Sequence, residues 1–323
     1  MYPILFRVPL VDLPVYAYGV MLGLAFISSW YLTFHFSNRQ RLPYREVSTA
    51  LGLAIVFAMV GARIAHIISN SSWDEVRMQG LMAVLFAGRC EGLVAYGGYI
   101  GGTLAVVVYA WLKRFDFWNL ADCSSPALVM GLGFTRIGCF LAGCCYGKPT
   151  DVAWAVSFPP GSQAARELLG ASAGAGAWSP HVHPTQLYES LLGFALVPVA
   201  ILLLKRRRFT GQAFLVMIML YALGRFLLET IRDDDDRGTV LGILSVSQFI
   251  GVVLVPMAAG FLLYRRKRAP APIPWLSREE VQESLREQGV LKPGKKDAQD
   301  APGEGKDGKK GREGKKKGQG RKK

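Results

Sequence analysis

The sequence predicts an all-α polytopic membrane protein with seven transmembrane helices, its N-terminus outside and its C-terminus cytoplasmic. Three observations carry this reading. Of 323 residues, 51% are hydrophobic and 19% charged, and the apolar ones gather in long blocks. Seven blocks, at 15–36, 47–69, 93–112, 120–143, 186–204, 212–231 and 241–264, approach the ~20 residues that a bilayer crossing needs. Basic residues collect on alternate connections between them. In lipid a helix satisfies its own backbone, so a helical bundle is the natural home for such a chain.

Taken in order, the elements justify themselves. The leading "MYPILFRVPLVDLP" has no basic region ahead of its apolar residues and is broken by prolines, so the first span is expected to insert and stay. Span one is followed by Arg39, Arg41 and Arg45. Span two carries Arg63 and His66 on one face and leads into "SSWDEVRMQG". Span three opens on Tyr96, Gly97 and Gly98 and closes on Lys113 and Arg114. Span four holds Arg136 and Cys139 and gives way to an external loop region, 144–185. The proline after His183 turns the chain into span five, which begins with Gln186, Tyr188 and Glu189 and ends in "KRRR" at 205–208. Span six places Tyr221, Arg225 and Glu229 four apart on one face and is followed by "RDDDDRG". Span seven runs into "RRKR" at 265–268. All four basic clusters fall on one side, which the positive-inside rule makes cytoplasmic.

The seven-span domain therefore covers 1–268, and a cytoplasmic tail covers 269–323. In the tail, "SREEVQESLREQ" (277–288) reads as a helix started by Ser277 with Glu280 three residues on. From 291 the chain is Gly/Lys-rich and expected to be disordered. Residues 291–323 hold 13 Lys/Arg against 5 Asp/Glu, so 8 of the 14 net positive charges sit there. Such a run suits anionic headgroups; by itself it does not make a nucleic-acid-binding protein, and no such partner is expected.

The orientation turns sequence position into depth. At ~1.5 Å per residue, Arg63 lies roughly 9 Å below the outer end of its span, and Arg136 and Arg225 roughly 10 Å below theirs. Tyr18, Tyr96, Tyr188 and Glu189 fall near the same level. Charges inside a membrane are costly and usually face a polar cavity. Interhelical ion pairs, Arg225 with Glu229 and Arg136 with Glu189, account for some of them. Three arginines against two carboxylates leave the layer short of anions, and an arginine fork suits phosphate. A phospholipid headgroup is the phosphate available at that depth.

Six stretches, "YGVMLGLA" (18–25), "GARIAHII" (61–68), "YGGYIGG" (96–102), "TRIGCFLAGCCYG" (135–147), "HPTQLYES" (183–190) and "YALGRFLLETIR" (221–232), resemble the prolipoprotein diacylglyceryl transferase family, in that family's order. The resemblance spans roughly residues 10–265. It implies a bacterial inner-membrane enzyme that moves the diacylglyceryl group of phosphatidylglycerol onto the lipobox cysteine of a prolipoprotein, forming a thioether and releasing glycerol phosphate. By motif position Arg136 corresponds to the signature arginine on the lipid phosphate, and Tyr221 and Arg225 to an essential tyrosine–arginine pair. Tyr18, Gly147, Gln186 and Glu229 also match family positions. Expected partners are phosphatidylglycerol, prolipoprotein signal peptides and membrane lipids.

Departures from the family pattern are informative. Its histidine before the double glycine is Tyr96 here; two of its asparagines are Cys139 and Ala142, and its glutamate is Cys144. Tyrosine, with an ordinary pKa near 10, is a poor base at neutral pH. His66 and Glu229 are therefore candidate proton acceptors beside it. The expected catalytic set is Arg136, Arg225, Tyr96, Tyr221 and His66; the lipid-binding set is Arg136, Arg63, Tyr18, Gly97, Gly98, Gly147, Gln186 and Glu229. Of five cysteines, Cys144 or Cys145 could pair with Cys90, pack structurally or shape the site. No cofactor is expected, and no metal, since His181 and His183 add too few ligands. The rival reading is a non-enzymatic lipid-binding or lipid-translocating protein. A transporter fits worse, because no internal repeat is visible.

Overall fold

Each predicted span emerges as a helix because its apolar run is bounded by chemistry that starts or stops one. The computed structural model describes residues 4–8, 12–69, 95–170, 176–232, 239–240 and 244–291. Among these, a β-hairpin (β1, Ile4–Val8, against β2, Leu13–Tyr16) precedes α1 (Ala17–Asn38), α2 (Tyr44–Ser69), α3 (Ala95–Lys113) and α4 (Phe117–Ala142). A short α5 (Gln163–Leu169) lies in the loop region. It is followed by α6 (Thr185–Arg206), α7 (Gln212–Glu229), a small pair β3 (Thr239–Val240) and β4 (Leu244–Ser245), α8 (Val246–Arg268) and α9 (Arg278–Glu287). The seven predicted spans match α1–α4 and α6–α8 to within five residues at either end. The largest offset is at α8, which starts only where Ser245 and Gln248 form a reciprocal cap and then continues through Arg265–Arg268.

Six of these helices are long and apolar enough to cross a membrane. α3, whose first half carries Gly97, Gly98, Gly101 and Gly102, is not among them. Those glycines have a packing use. A Cβ on Gly97 or on Gly101 would collide with the α2 backbone at Gly61 or Phe57, and one on Gly61 with the carbonyl of Gly97. Without hydrophobic force between helices in lipid, such close backbone contact is what associates them. Gly97→Leu is therefore expected to separate α2 from α3 and to lower the detergent-solubilised protein's melting temperature, by the equivalent of about 1–3 kcal/mol.

α1 packs on α4, α4 on α6, α6 on α7 and α7 on α8, while α2 packs chiefly on α3. Small residues set the central contact. A Cβ on Gly193 of α6 would meet Val129 O at 2.9 Å, one on Gly133 of α4 would meet the Phe194 ring at 2.7 Å, and Ser190 Oγ donates to Gly133 O at 3.0 Å.

Among the described residues, the buried charged groups gather at the two ends of this bundle. At one end Asp122, fully buried, accepts from Arg207 Nη1 (2.6 Å) and from the amides of Gly211 (2.7 Å) and Phe214 (2.8 Å). Arg207 Nη2 also donates to Gln40 and Asn119. One ion pair thereby ties the end of α1, the start of α4 and the α6–α7 turn. Beyond it, residues 269–277 strap back along the bundle, with Trp275 edge-on to Phe36 and Leu276 N–H bonded to Arg39 O. α9 carries the expected cap between Ser277 and Glu280. The expected disorder of the tail falls on residues that lie, apart from 291 itself, outside the described ones.

Candidate functional site

The opposite end of the bundle gathers the charges. Gly133 and Gly193 let α4 and α6 approach closely, and Arg136 and Glu189 sit within a turn of that contact. Their side chains form an ion pair between Arg136 Nε and Glu189 Oε2. Glu189, with no exposed surface, also faces Arg225 Nη1 of α7 at 2.9 Å and Arg232 Nη1 just beyond α7 at 3.6 Å. Glu229 binds Arg225 at 2.5 Å, lies 3.9 Å from Arg232 Nε and accepts from Ser245 Oγ at 2.8 Å. Among the described residues, three guanidiniums thus share two carboxylates in a buried network. An anion is the complement that such a site attracts most strongly at low dielectric.

Aromatic residues from other helices border the network. Tyr221 of α7 feels Glu189, Arg136 and Arg225, and Tyr99 of α3 feels Arg136 and Glu189. Tyr18 of α1 lies against Gly138 and feels Arg136 and the cysteines beyond it. Tyr96 reaches the network indirectly: its hydroxyl is 3.0 Å from Ser247 Oγ, which accepts from Arg225 Nη2 at 3.4 Å. Thus Tyr96 holds Arg225 through a serine of α8. Arg63 and His66 are half-buried on α2, the helix that packs on α3. The ion pairs that converge on Glu189 come from Arg136, Arg225 and Arg232. The third arginine of the cluster is therefore Arg232 where the spacing argument expected Arg63.

The glycines expected to touch lipid have packing contacts. Gly97 and Gly98 face α2. A Cβ on Gly147 would meet Thr185 Cγ2 at 2.6 Å, Ile231 O at 2.7 Å and His183 Cβ at 2.8 Å. There the chain leaving α4 bridges to Arg232 and threads between α6 and the end of α7. The glycine thus sets the approach of the segment that carries Arg232.

That segment also brings three sulfurs together. α4 ends on Gly143 in the left-handed region (φ 76°), whose N–H returns to Cys139 O and Phe140 O. Cys145 follows with φ 62°, a conformation L-residues with a Cβ rarely adopt. The carbonyl of Cys144 accepts from Gln186 Nε2 at 2.7 Å, and that of Cys145 from Thr185 Oγ1 at 3.1 Å. So folded, the Sγ atoms of Cys139, Cys144 and Cys145 lie within 4.8 Å of one another. Hydrogen bonding, from Cys139 first and then Cys144, holds the Cys145 thiol below its ordinary pKa; Cys144 is raised, again chiefly by Cys139. Counting ligands along the chain missed this, because the convergence is made by two left-handed residues rather than by a spacing motif. Gln186 is nearly fully buried, and its Oε1 accepts no hydrogen bond among the described residues. The bridge proposed to Cys90 lies outside the described residues.

Residues 3–264 match the family model described as prolipoprotein diacylglyceryl transferase. The chain belongs to the prolipoprotein diacylglyceryl transferase family. Among its relatives, a protein of Clostridium perfringens named phosphatidylglycerol–prolipoprotein diacylglyceryl transferase 2 is 32% identical over 252 residues, covering 78% of this chain and 91% of the relative. Phosphatidylglycerol–prolipoprotein diacylglyceryl transferases of Clostridium tetani (30% over 255 residues, 79% and 94% covered) and Geobacter sulfurreducens (31% over 260 residues, 78% and 92% covered) are similar. In this transferase family member, then, the charge-bearing ends of α4, α6 and α7 bring three guanidiniums together as a candidate anion site.

Proposed function

We propose that the chain transfers the diacylglyceryl group of phosphatidylglycerol to the lipobox cysteine of prolipoproteins, in a bacterial inner membrane that it crosses seven times, N-terminus outside. The observation that carries this reading is the convergence of three guanidiniums on the buried Glu189. A phosphodiester is the anion that such a group of arginines suits. When a thiolate attacks the glycerol carbon next to the phosphate, the C–O bond breaks and charge accumulates on the departing glycerol phosphate. Fixed guanidiniums then bind the leaving group more strongly than the ground state, which is what lowers the barrier.

In this assignment Arg136 and Arg225 hold the phosphate, Arg232 pairs with Glu189 and Glu229, and Tyr18, Tyr99 and Tyr221 wall the headgroup. Gln186 Oε1 accepts from a hydroxyl of the glycerol headgroup. Tyr96 is a positioning residue acting on Arg225 through Ser247. Glu229 is engaged by Arg225 and Ser245, which argues against it as the base; His66 stays a candidate. The α3 helix counts as the seventh span because its glycine-rich face lies on α2 rather than on lipid. The orientation rests on the alternating basic connections.

The experiment is rescue of lipoprotein maturation in cells depleted of their own transferase. Restored thioether formation on a reporter lipoprotein is expected. Tight binding of phosphatidylglycerol vesicles without any thioether would instead establish the non-enzymatic lipid-binding reading.

A further inference from the structure

We propose that Cys139, Cys144 and Cys145 bind a thiophilic divalent cation, zinc, whose fourth position takes the acceptor cysteine thiol of the incoming prolipoprotein. This deepens the transfer reading above and rests on it.

The geometry is that of a built site. A zinc ion with Zn–S bonds of ~2.3 Å in a tetrahedral arrangement needs sulfurs about 3.8 Å apart. The three Sγ atoms already lie within 4.8 Å of one another, so closing the site takes small side-chain movements. The backbone is fixed for it: the left-handed Gly143 and Cys145 fold the loop back on α4, and Thr185 and Gln186 of α6 clamp the carbonyls of Cys145 and Cys144. A residue with a Cβ held at positive φ stores backbone strain, which is found where a side chain must point one way. Three protein ligands and one open position are the donor set of a reactive zinc site rather than a closed structural one.

The chemistry needs such a device. The attacking group must be a thiolate, and an ordinary cysteine with a pKa near 8.5 is only about 3% ionised at pH 7. The hydroxyl of Tyr96 is bonded to Ser247. Coordination to a metal deprotonates a thiol outright. The balance is simple. The acceptor thiol loses its proton on binding, and its sulfur forms the S–C bond to the glycerol carbon. The C–O bond to phosphate breaks with its electron pair on oxygen, and the released glycerol phosphate can take up one proton. The product thioether is a neutral, weak ligand that leaves, and the metal stays with its three thiolates. Cys139 follows Arg136 by three residues on α4, so the cluster starts one turn from the arginine assigned to the phosphate.

The test uses the full-length protein purified in detergent without chelators or nickel resin. About one zinc per chain is expected by elemental analysis, falling to near zero in Cys144→Ser and in the Cys139→Ser/Cys145→Ser double variant. Cobalt substitution gives a reading independent of turnover: thiolate-to-cobalt absorption is expected, with visible bands that change on adding a lipobox peptide but not its Cys→Ser analogue. Chelated wild-type protein should transfer about tenfold more slowly at pH 7, since it loses a ~30-fold gain in thiolate but escapes the metal's lowering of nucleophilicity. That deficit should shrink towards pH 8.5 and vanish on adding zinc. Active protein without metal, with Cys139 disulfide-linked to Cys144 or Cys145, overturns the proposal and leaves the transfer reading standing. Copper(I) in the site, or cobalt bands indifferent to the peptide, also overturns it. Metal bound and cobalt bands responsive, yet no transfer under any condition, counts against the transfer reading alone.

Discussion

Replacing Arg136 with alanine is expected to cut diacylglyceryl transfer by about 100- to 1,000-fold while leaving the protein folded. The fold survives because Glu189 keeps Arg225 at 2.9 Å and Arg232 at 3.6 Å as partners, so no buried carboxylate is abandoned. The activity does not, because Arg136 is one of the two guanidiniums assigned to the phosphate, and its loss removes stabilisation of the departing group. Arg136→Lys should recover little. An ammonium can pair with Glu189, but it lacks the planar fork that binds a carboxylate and a phosphate oxygen together. The measurement is thioether formation on a lipobox peptide with phosphatidylglycerol in mixed micelles, alongside a melting curve. A variant that melts like wild type and transfers at more than a tenth of its rate would remove Arg136 from the site.

Asp122→Ala should have the largest effect on stability, a loss of about 3–5 kcal/mol, the usual consequence of stripping one partner from a buried ion pair. Arg207, itself almost fully buried, would keep Gln40 and Asn119 but lose its counter-charge. The amides of Gly211 and Phe214 would lose their acceptor at the same time. Because those amides start α7, the loss reaches the helix that carries Arg225 and Glu229 at its far end. Asp122→Asn should recover part of the loss through Phe214 N–H, but its amide NH₂ opposes the donors of Arg207. Titration into denaturing detergent, followed by the helix signal, reads the effect. If Asp122→Ala unfolded at the wild-type midpoint, the network would be no clasp.

Much of this molecule was legible in the sequence because membrane helices are written in composition. An apolar run has one way to satisfy its backbone in lipid, so α1–α4 and α6–α8 fall where the hydropathy places them. Tyr221, Arg225 and Glu229 share a face by periodicity alone, and the Ser277 cap of α9 is local chemistry. Residues outside the spans were harder to read. Arg232 lies next to an acidic loop and reads as part of it, until the bridge to Gly147 turns it inward. Tyr99 and Ser247 look like ordinary span residues, since nothing local states which helix they face.

Sequence alone determined the extent of the long helices and the ends at which charge accumulates. Tertiary structure alone decided which arginines share Glu189, that the paired glycines of α3 serve α2, and that three thiols meet beyond α4. Helix formation depends on neighbours three or four residues away, which the sequence contains. Convergence depends on how closely backbones from distant segments approach, here through Gly133, Gly147 and Gly193 and the left-handed turns at Gly143 and Cys145, and no local pattern encodes those distances.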